Sequence, residues 1–194
     1  QDVSNAYGSF HKPNPTELGP IKCIYHMTDA VLQTSLNQKE GIEAHRAVDF
    51  VLTLAQFMTT NARYSDIILP VTTEWERCGG FGGYNNREYL PFYTRVTQPL
   101  GEAKTDQEIG ELLIAGVGKD PKLAYDKTED QQLYEQIAGC KVMGDDGKMK
   151  TLVTLTADDI KGLNAEGAPQ EGIITLKELK ENGGYQFPRK RGDK

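Results

Sequence analysis

The stretch "DFVLTLAQF" (Asp49 to Phe57) constrains the fold of this chain more than any other. It is a nearly continuous apolar run of strand length, the pattern of a strand covered on both faces, and such strands belong to parallel sheets. Two shorter runs flank it. "IKCIYHM" (Ile21 to Met27) follows a proline and reads as a strand. "IILPV" (Ile67 to Val71) reads as a third. Between the first two lies "NQKEGIEAHRAV", with Ile42, His45 and Ala47 on one side and charges on the other, which suits a short helix. Between the second and third, "TTNARYSD" allows a turn and a turn or two of helix. Strand, helix, strand, helix, strand at this spacing predicts an α/β fold: a doubly wound, mainly parallel Rossmann-like sheet with helices on both faces.

In open parallel sheets ligands bind in the crevice beyond the carboxyl ends of the strands. Three loops fall there: "TDAVLQT", "QFMTTNAR" and "PVTTEWER". Each carries hydroxyl, amide or acidic groups, and Thr28, Asp29, Gln56, Thr59 and Thr72 are the candidates. Thr59 or Thr60 can equally cap the helix that follows, because a hydroxyl oxygen accepts from free N–H groups of the first turn. Arg63 and Asp66 read as a structural pair as readily as ligand contacts. No GxGxxG or GxxxxGK[ST] follows any strand, so neither a standard dinucleotide fingerprint nor a P-loop is present.

Beyond Trp75, "CGGFGGYNN" is a glycine-rich loop and "EYLPFYTRVTQP" reads as extended. "TDQEIGELLIAGVG" predicts a helix capped by Thr105, with Ile109, Leu112, Leu113 and Val117 as its apolar stripe. "EDQQLYEQIAG" predicts a more polar helix, "KVMGDDGKMKTLVTLT" a hairpin turning at Asp146-Gly147, and "TADDIKGL" and "TLKELKENGG" two short helices. The division expected from these patterns is an extended lead-in at 1–20, the α/β domain at 21–123 and a loosely packed, mixed helical and hairpin appendage at 124–194.

Composition narrows the function. A net charge of −6 across 194 residues argues against a nucleic-acid surface, which needs clustered Lys and Arg; the one basic cluster, "PRKRGDK", reads as a solvated tail. No apolar run approaches the roughly 20 residues that span a bilayer, and the first 20 residues lack the apolar stretch of a signal peptide. The 3 cysteines show no zinc spacing. Cys23 reads as a core residue and Cys78 as a bystander thiol, since no histidine is paired with it in sequence.

Two phrases carry a resemblance. "QFMTTNARYSDIILPVTTEWER", followed by "QPLGEAKTDQEIGELL", is similar to the phrases "FMTxTARYADIVLPxTTxxE" and "PxGEAKSDxEI" of molybdopterin oxidoreductases of the DMSO reductase type. The likeness covers roughly Pro20 to Gly118. It implies one central α/β domain of a catalytic subunit several times longer, in which two pterin guanine dinucleotides hold one molybdenum (tungsten in some members), with an iron–sulfur cluster in the N-terminal part of many members. On this reading Thr28, Asp29, Gln56, Thr59 and Thr72 face the nucleotide end of the cofactor, and this chain contributes neither catalytic residue nor metal ligand. The implied partners are the remaining domains of the same subunit, an iron–sulfur electron-transfer subunit and a membrane anchor. The implied location is the bacterial periplasm or the cytoplasmic membrane. The chain, beginning on Gln, then reads as part of a longer one that is inactive alone. The chain departs from the family where "GxNP" is replaced by "TDAVLQT" and where "QD" is replaced by Leu54 and Ala55. A stand-alone α/β module that binds a small anion or a protein partner without catalysis is the competing expectation.

Overall fold

The computed structural model describes residues 21–27, 31–82, 89–144 and 146–188. Thr28 and Asp29, two of the candidate ligand residues, lie outside them. The described elements are, in order, β1 (Cys23–His26), α1 (Val31–Thr34), α2 (Gln38–Arg46), β2 (Phe50–Ala55), α3 (Thr60–Arg63), β3 (Ile67–Pro70), β4 (Gly79–Phe81), β5 (Tyr89–Thr94), α4 (Asp106–Gly116), α5 (Glu129–Gly139), β6 (Lys141–Met143), β7 (Met149–Thr151), β8 (Val153–Thr154), α6 (Ala157–Gly162), β9 (Ile174–Thr175), α7 (Leu176–Glu181) and β10 (Gly184–Gln186). The chain divides by its internal contacts into two units. The first is 1–72 with 100–106, and the second is 73–99 with 107–194. The division expected near residue 123 is not where the chain separates.

In the first unit β1, β2 and β3 form a parallel sheet in that order, as the three apolar runs predict. Tyr25 pairs with Leu52 and Leu52 with Ile67, so Cys23, Tyr25, Phe50, Leu52, Leu54 and Ile67 share one face. His26, Val51, Thr53 and Ile68 share the other, because successive side chains alternate. The helices lie on the His26 face: His26 meets His45 of α2, and Thr53 meets Ser65, whose hydroxyl donates to Asn61 O of α3. Asn61 Oδ1 in turn accepts from Leu32 N of α1 at 2.9 Å. Sequential strand order accounts for this single helical layer, since right-handed crossovers that step in one direction all pass over one face. On the other face Leu52 and Leu54 of β2 are buried, while Cys23 at the start of β1 is exposed rather than a core residue.

Asp66 fixes the register of β3 against β2. Its carboxylate accepts from Val51 N at 2.8 Å, and its own N–H donates to Val51 O at 2.9 Å. The structural role of Asp66 is thus to clamp backbone rather than to pair with Arg63. Beyond β3, Lys104 N donates to Pro70 O, and Thr72 N donates to Lys104 O at 3.0 Å. The parallel bridge between Val71 and Lys104 lays the segment 100–106 beside the carboxyl end of β3.

The second unit holds the larger core. Phe92, Leu133, Ile137, Val142, Leu152, Leu155, Leu176 and Leu179 belong to one buried cluster, and each fully buried Leu or Ile side chain contributes about 1.5–3 kcal/mol. Most of these residues lie beyond Ala124, so the region expected to pack loosely packs densely. Its helices start where the sequence places hydroxyls. Thr156 and Thr175 each form a reciprocal capping box, with Asp159 and Glu178. β6 and β7 form the expected antiparallel hairpin, with Gly147 at φ 72°. β8 and β9 pair in parallel across a crossover that contains α6. A Cβ on Gly172 would sit 2.4 Å from Val153 C, so glycine is required where this crossover returns onto β8. In α4 only the N-terminal half packs: Ile109 is buried, while Leu112, Leu113 and Val117 of the expected apolar stripe are exposed.

Candidate functional site

The carboxyl ends of the parallel strands bring Gln56, Thr59 and Thr72 to one edge of the first unit. Gln56 follows β2 directly. Its side-chain Nε2 donates to Thr72 O at 3.0 Å, tying the end of β2 to the end of β3. Donation to the carbonyl uses one of the two amide N–H groups of Gln56, which leaves the second N–H as a donor and Oε1 as an acceptor.

Thr59 starts α3, and its Oγ1 accepts from Ala62 N at 3.2 Å. The capping reading therefore holds in the structure. Capping uses a lone pair of the hydroxyl and leaves its proton to donate elsewhere, so cap and ligand donor are compatible roles for one residue. Thr60 N takes a different partner, Gln33 Oε1 at 3.3 Å.

Thr72 is 2% exposed, and its Oγ1 has no hydrogen-bond partner among the described residues. An orphaned buried hydroxyl costs about 1–3 kcal/mol, so among the described residues this atom is a buried polar group at the strand ends that lacks a partner. Its backbone is fully engaged, with N donating to Lys104 O and O accepting from Gln56. Lys104 was not among the sequence candidates. Its signal was present in "GEAK", but only the bridge to Val71 places an exposed cation next to Thr72. Leu54 is 2% exposed and Ala55 half-buried, so the two residues standing where the family has "QD" serve the core and present no polar group.

Beside this sheet lies a buried histidine pair. His26 Nε2 and His45 Nε2 are 2.8 Å apart, and His45 Nδ1 is 2.8 Å from Gly41 O. The rings are inclined by only 8° with centroids 5.0 Å apart. That separation, with the nitrogens in contact, describes two nearly coplanar rings meeting edge to edge through an N–H···N bond rather than stacked faces.

The second unit contains a separate cavity of about 260 Å³ between β4 and α5, lined by Arg77, Cys78, Gly80, Tyr93, Glu129 and Gln136 among others. A Cβ at Gly80 would fall 2.4 Å from the Tyr93 ring, so the close approach of ring to strand depends on glycine there. Burial, followed by the carboxylates of Glu129 and Asp130, pushes the Cys78 thiol up to about 11. A nucleophilic cysteine requires the opposite displacement, and the bystander reading of Cys78 follows. Among the described residues no three His, Cys, Asp or Glu side chains gather as metal ligands, and no helix is long and apolar enough to cross a membrane.

Comparison with known proteins agrees with the strand-end phrases. The family model for molybdopterin oxidoreductases matches residues 3–115. The alpha subunit of an F420-dependent formate dehydrogenase from Methanocaldococcus jannaschii is 27% identical over 146 residues, covering 67% of this chain and 21% of that protein. A trimethylamine-N-oxide reductase from Vibrio parahaemolyticus is 29% identical over 101 residues, 51% of this chain and 12% of that protein. A dimethyl sulfoxide/trimethylamine N-oxide reductase from Cereibacter sphaeroides is 37% identical over 73 residues, 37% of this chain and 9% of that protein. The chain thus spans only 9 to 21% of the length of these relatives. With the family model matched over more than half its residues and a parallel α/β sheet carrying the matched phrases, the chain belongs to the molybdopterin oxidoreductase family, DMSO reductase type.

Proposed function

We propose that this chain is the part of a molybdenum enzyme's catalytic subunit that holds the guanosine diphosphate end of a bis(pterin guanine dinucleotide) cofactor. The observation that carries the reading is the unsatisfied, buried Thr72 hydroxyl at the carboxyl end of β3. The neighbouring groups fit such a ligand. Gln56 Oε1 accepts from a ribose hydroxyl or a guanine N–H, the Thr59 hydroxyl donates to a phosphate oxygen while it caps α3, and Lys104 supplies a cation. From the sequence, Thr28 and Asp29 are assigned to the same set, Asp29 as an acceptor for guanine or ribose. The cofactor, when bound, supplies the two-electron redox chemistry. The residues of this chain position it and transfer no proton or electron themselves, and the isolated chain has no turnover.

For the whole protein, the corresponding partners are the other domains of its subunit, an iron–sulfur electron-transfer subunit and a membrane anchor, with an iron–sulfur cluster in the N-terminal part and a periplasmic or membrane-associated location. The reading is tested by titrating guanosine diphosphate into the ¹⁵N-labelled chain. Amide shifts at Gln56, Thr59, Thr72 and Lys104 at millimolar ligand, lost in Gln56→Ala/Lys104→Ala, support it. Silence at all four amides refutes it.

A second reading is that the module keeps the fold and serves protein contacts without a nucleotide. The apolar, core-facing Leu54 and half-buried Ala55 favour it, because the polar pair of the family is absent there. No shift with guanosine diphosphate, together with binding of the remaining subunit domains, is its signature.

A further inference from the structure

The cavity of the second unit lies beside a strand with an unpaired edge. β4 is the outer strand of the sheet ordered β10-β5-β4. Two bonds fix which backbone groups of β4 turn outward. Gly82 N donates to Pro91 O at 3.2 Å, and Phe92 N donates toward β10, to Gly183 O, at 2.9 Å. Hydrogen-bonded and non-hydrogen-bonded pairs alternate along an antiparallel ladder. Phe81, opposite Phe92, therefore holds a non-hydrogen-bonded position, and its N–H and C=O both point away from β5. Neither group takes a partner among the described residues. Across from this edge stands one face of α5. Glu129, Gln132, Leu133 and Gln136 line the cavity at the i, i+3, i+4, i+7 spacing of a single helix face. Tyr93 lies on the face of the sheet opposite Phe81 and Phe92, because neighbouring side chains alternate, whereas Leu133 belongs to the core against which those two pack. Both line the cavity, so it follows the free edge of β4 rather than one face of the sheet.

We propose that the groove between β4 and α5 binds an extended, uncharged polar peptide segment of another protein, which adds to β4 as a further strand. Main-chain bonds to a sheet edge supply affinity in this mode, and the groove walls select the side chains. The edge offers one donor and one acceptor on the same residue, Phe81, the pair that an extended backbone matches at every second residue. An anion would accept from the N–H and leave the C=O unmet. On the helix wall, Gln132 gives its Nε2 to Gln107 Oε1 and Lys127 O, which leaves its Oε1 as an acceptor, and Gln136 is exposed with both ends of its amide turned to solvent or ligand. The charged lining residues are Arg77 and Glu129. Their formal charges cancel, so the matching segment carries none. The volume of about 260 Å³ falls short of the roughly 300–1,000 Å³ that encloses a small-molecule ligand, and suits a short stretch of chain lying along an open edge. This site is independent of the nucleotide reading, which concerns the strand ends of the first unit.

The test titrates the ¹⁵N-labelled 194-residue chain with capped hexapeptide mixtures built from Ser, Thr, Asn, Gln and Val, and with matched mixtures that add Lys or Glu. The uncharged mixtures at millimolar concentration are expected to shift the amides of Phe81, Gln132 and Gln136, and to slow hydrogen exchange at Phe81 as its N–H gains a partner. The same uncharged peptides with alternate amides N-methylated are expected to bind about fivefold more weakly for each main-chain bond removed. The perturbation is on the ligand, so the folding of a variant does not enter. Silence at these three amides, binding indifferent to N-methylation, or a response confined to the charged mixtures overturns the proposal. So does a Phe81 amide shift that grows with protein concentration in the absence of peptide, since the edge is then covered by a second copy of the chain.

Discussion

The contact between Thr53 and Ser65 beneath the strand ends gives a prediction whose asymmetry follows from hydrogen-bond direction. Their hydroxyl oxygens are 2.6 Å apart, and Ser65 also donates to Asn61 O at 2.8 Å. Ser65 has one proton and has used it, so Thr53 is the donor between them. Thr53→Val removes a donor and leaves only an unfilled lone pair on half-buried Ser65, at an expected cost of about 1 kcal/mol. Ser65→Ala strands the Thr53 hydroxyl, which is 0% exposed, at an expected cost of about 2 kcal/mol within the 1–3 kcal/mol range for an orphaned buried group. In the double variant the Val methyl takes the place of the Thr hydroxyl and no polar side-chain group is stranded. Its cost is expected to be about 1 kcal/mol, against about 3 kcal/mol for the sum of the single variants. The predicted coupling of about 2 kcal/mol exceeds the ~0.5 kcal/mol scatter of independent sites. Urea denaturation followed by exchange of the β2 amides, Val51 to Leu54, reads the unit concerned. Additive effects, or a Thr53→Val variant less stable than Ser65→Ala, would refute the assignment of donor and acceptor.

Thr59→Ala is expected to destabilise the first unit by about 1 kcal/mol through loss of the α3 cap, with Thr59→Ser restoring it; an unchanged urea midpoint for the alanine variant contradicts the cap. Leu179, fully buried in the second unit, is expected to cost 2–5 kcal/mol on truncation to Ala, read by fluorescence of the single Trp75; a loss below 1 kcal/mol would mean that the core tolerates collapse there. With its thiol raised from 9.0 to about 11, Cys78 carries about 100-fold less thiolate at pH 8 than an ordinary cysteine, so mass spectrometry after iodoacetamide should find the exposed Cys23 modified well before Cys78. Because the folded state holds that proton more tightly than the unfolded one, the stabilisation from Cys78 is full below pH 9 and is lost as pH rises toward 11; a urea midpoint in Cys78→Ala with the same alkaline decline as wild type counts against it.

Local chemistry determined much of this protein from the sequence alone. Apolar runs separated by helix-length polar segments dictate a parallel sheet, because burial on both sides of a strand and a crossover between parallel neighbours leave no other arrangement for "IKCIYHM", "DFVLTLAQ" and "IILPV". Hydroxyls before helical segments determine caps, and Thr59, Thr128, Thr156 and Thr175 each accept from a backbone N–H in the first turn because that bond spans three residues of chain. Tertiary structure decided what depends on residues distant in sequence. Cys23 is exposed and Leu54 buried although both sit in apolar runs on one face of the sheet, since Cys23 opens the edge strand β1 whereas Leu54 lies in the central strand β2. The dense core beyond Ala124 draws on short elements whose individual periodicity is too brief to register, and its largest members meet only when β8 and β9 pair across residues 155–173. Lys104 reaches Thr72 through a backbone bridge 33 residues from its partner Val71. His26 and His45, each unremarkable in its own segment, become a buried pair because β1 and α2 pack with the two Nε2 atoms 2.8 Å apart.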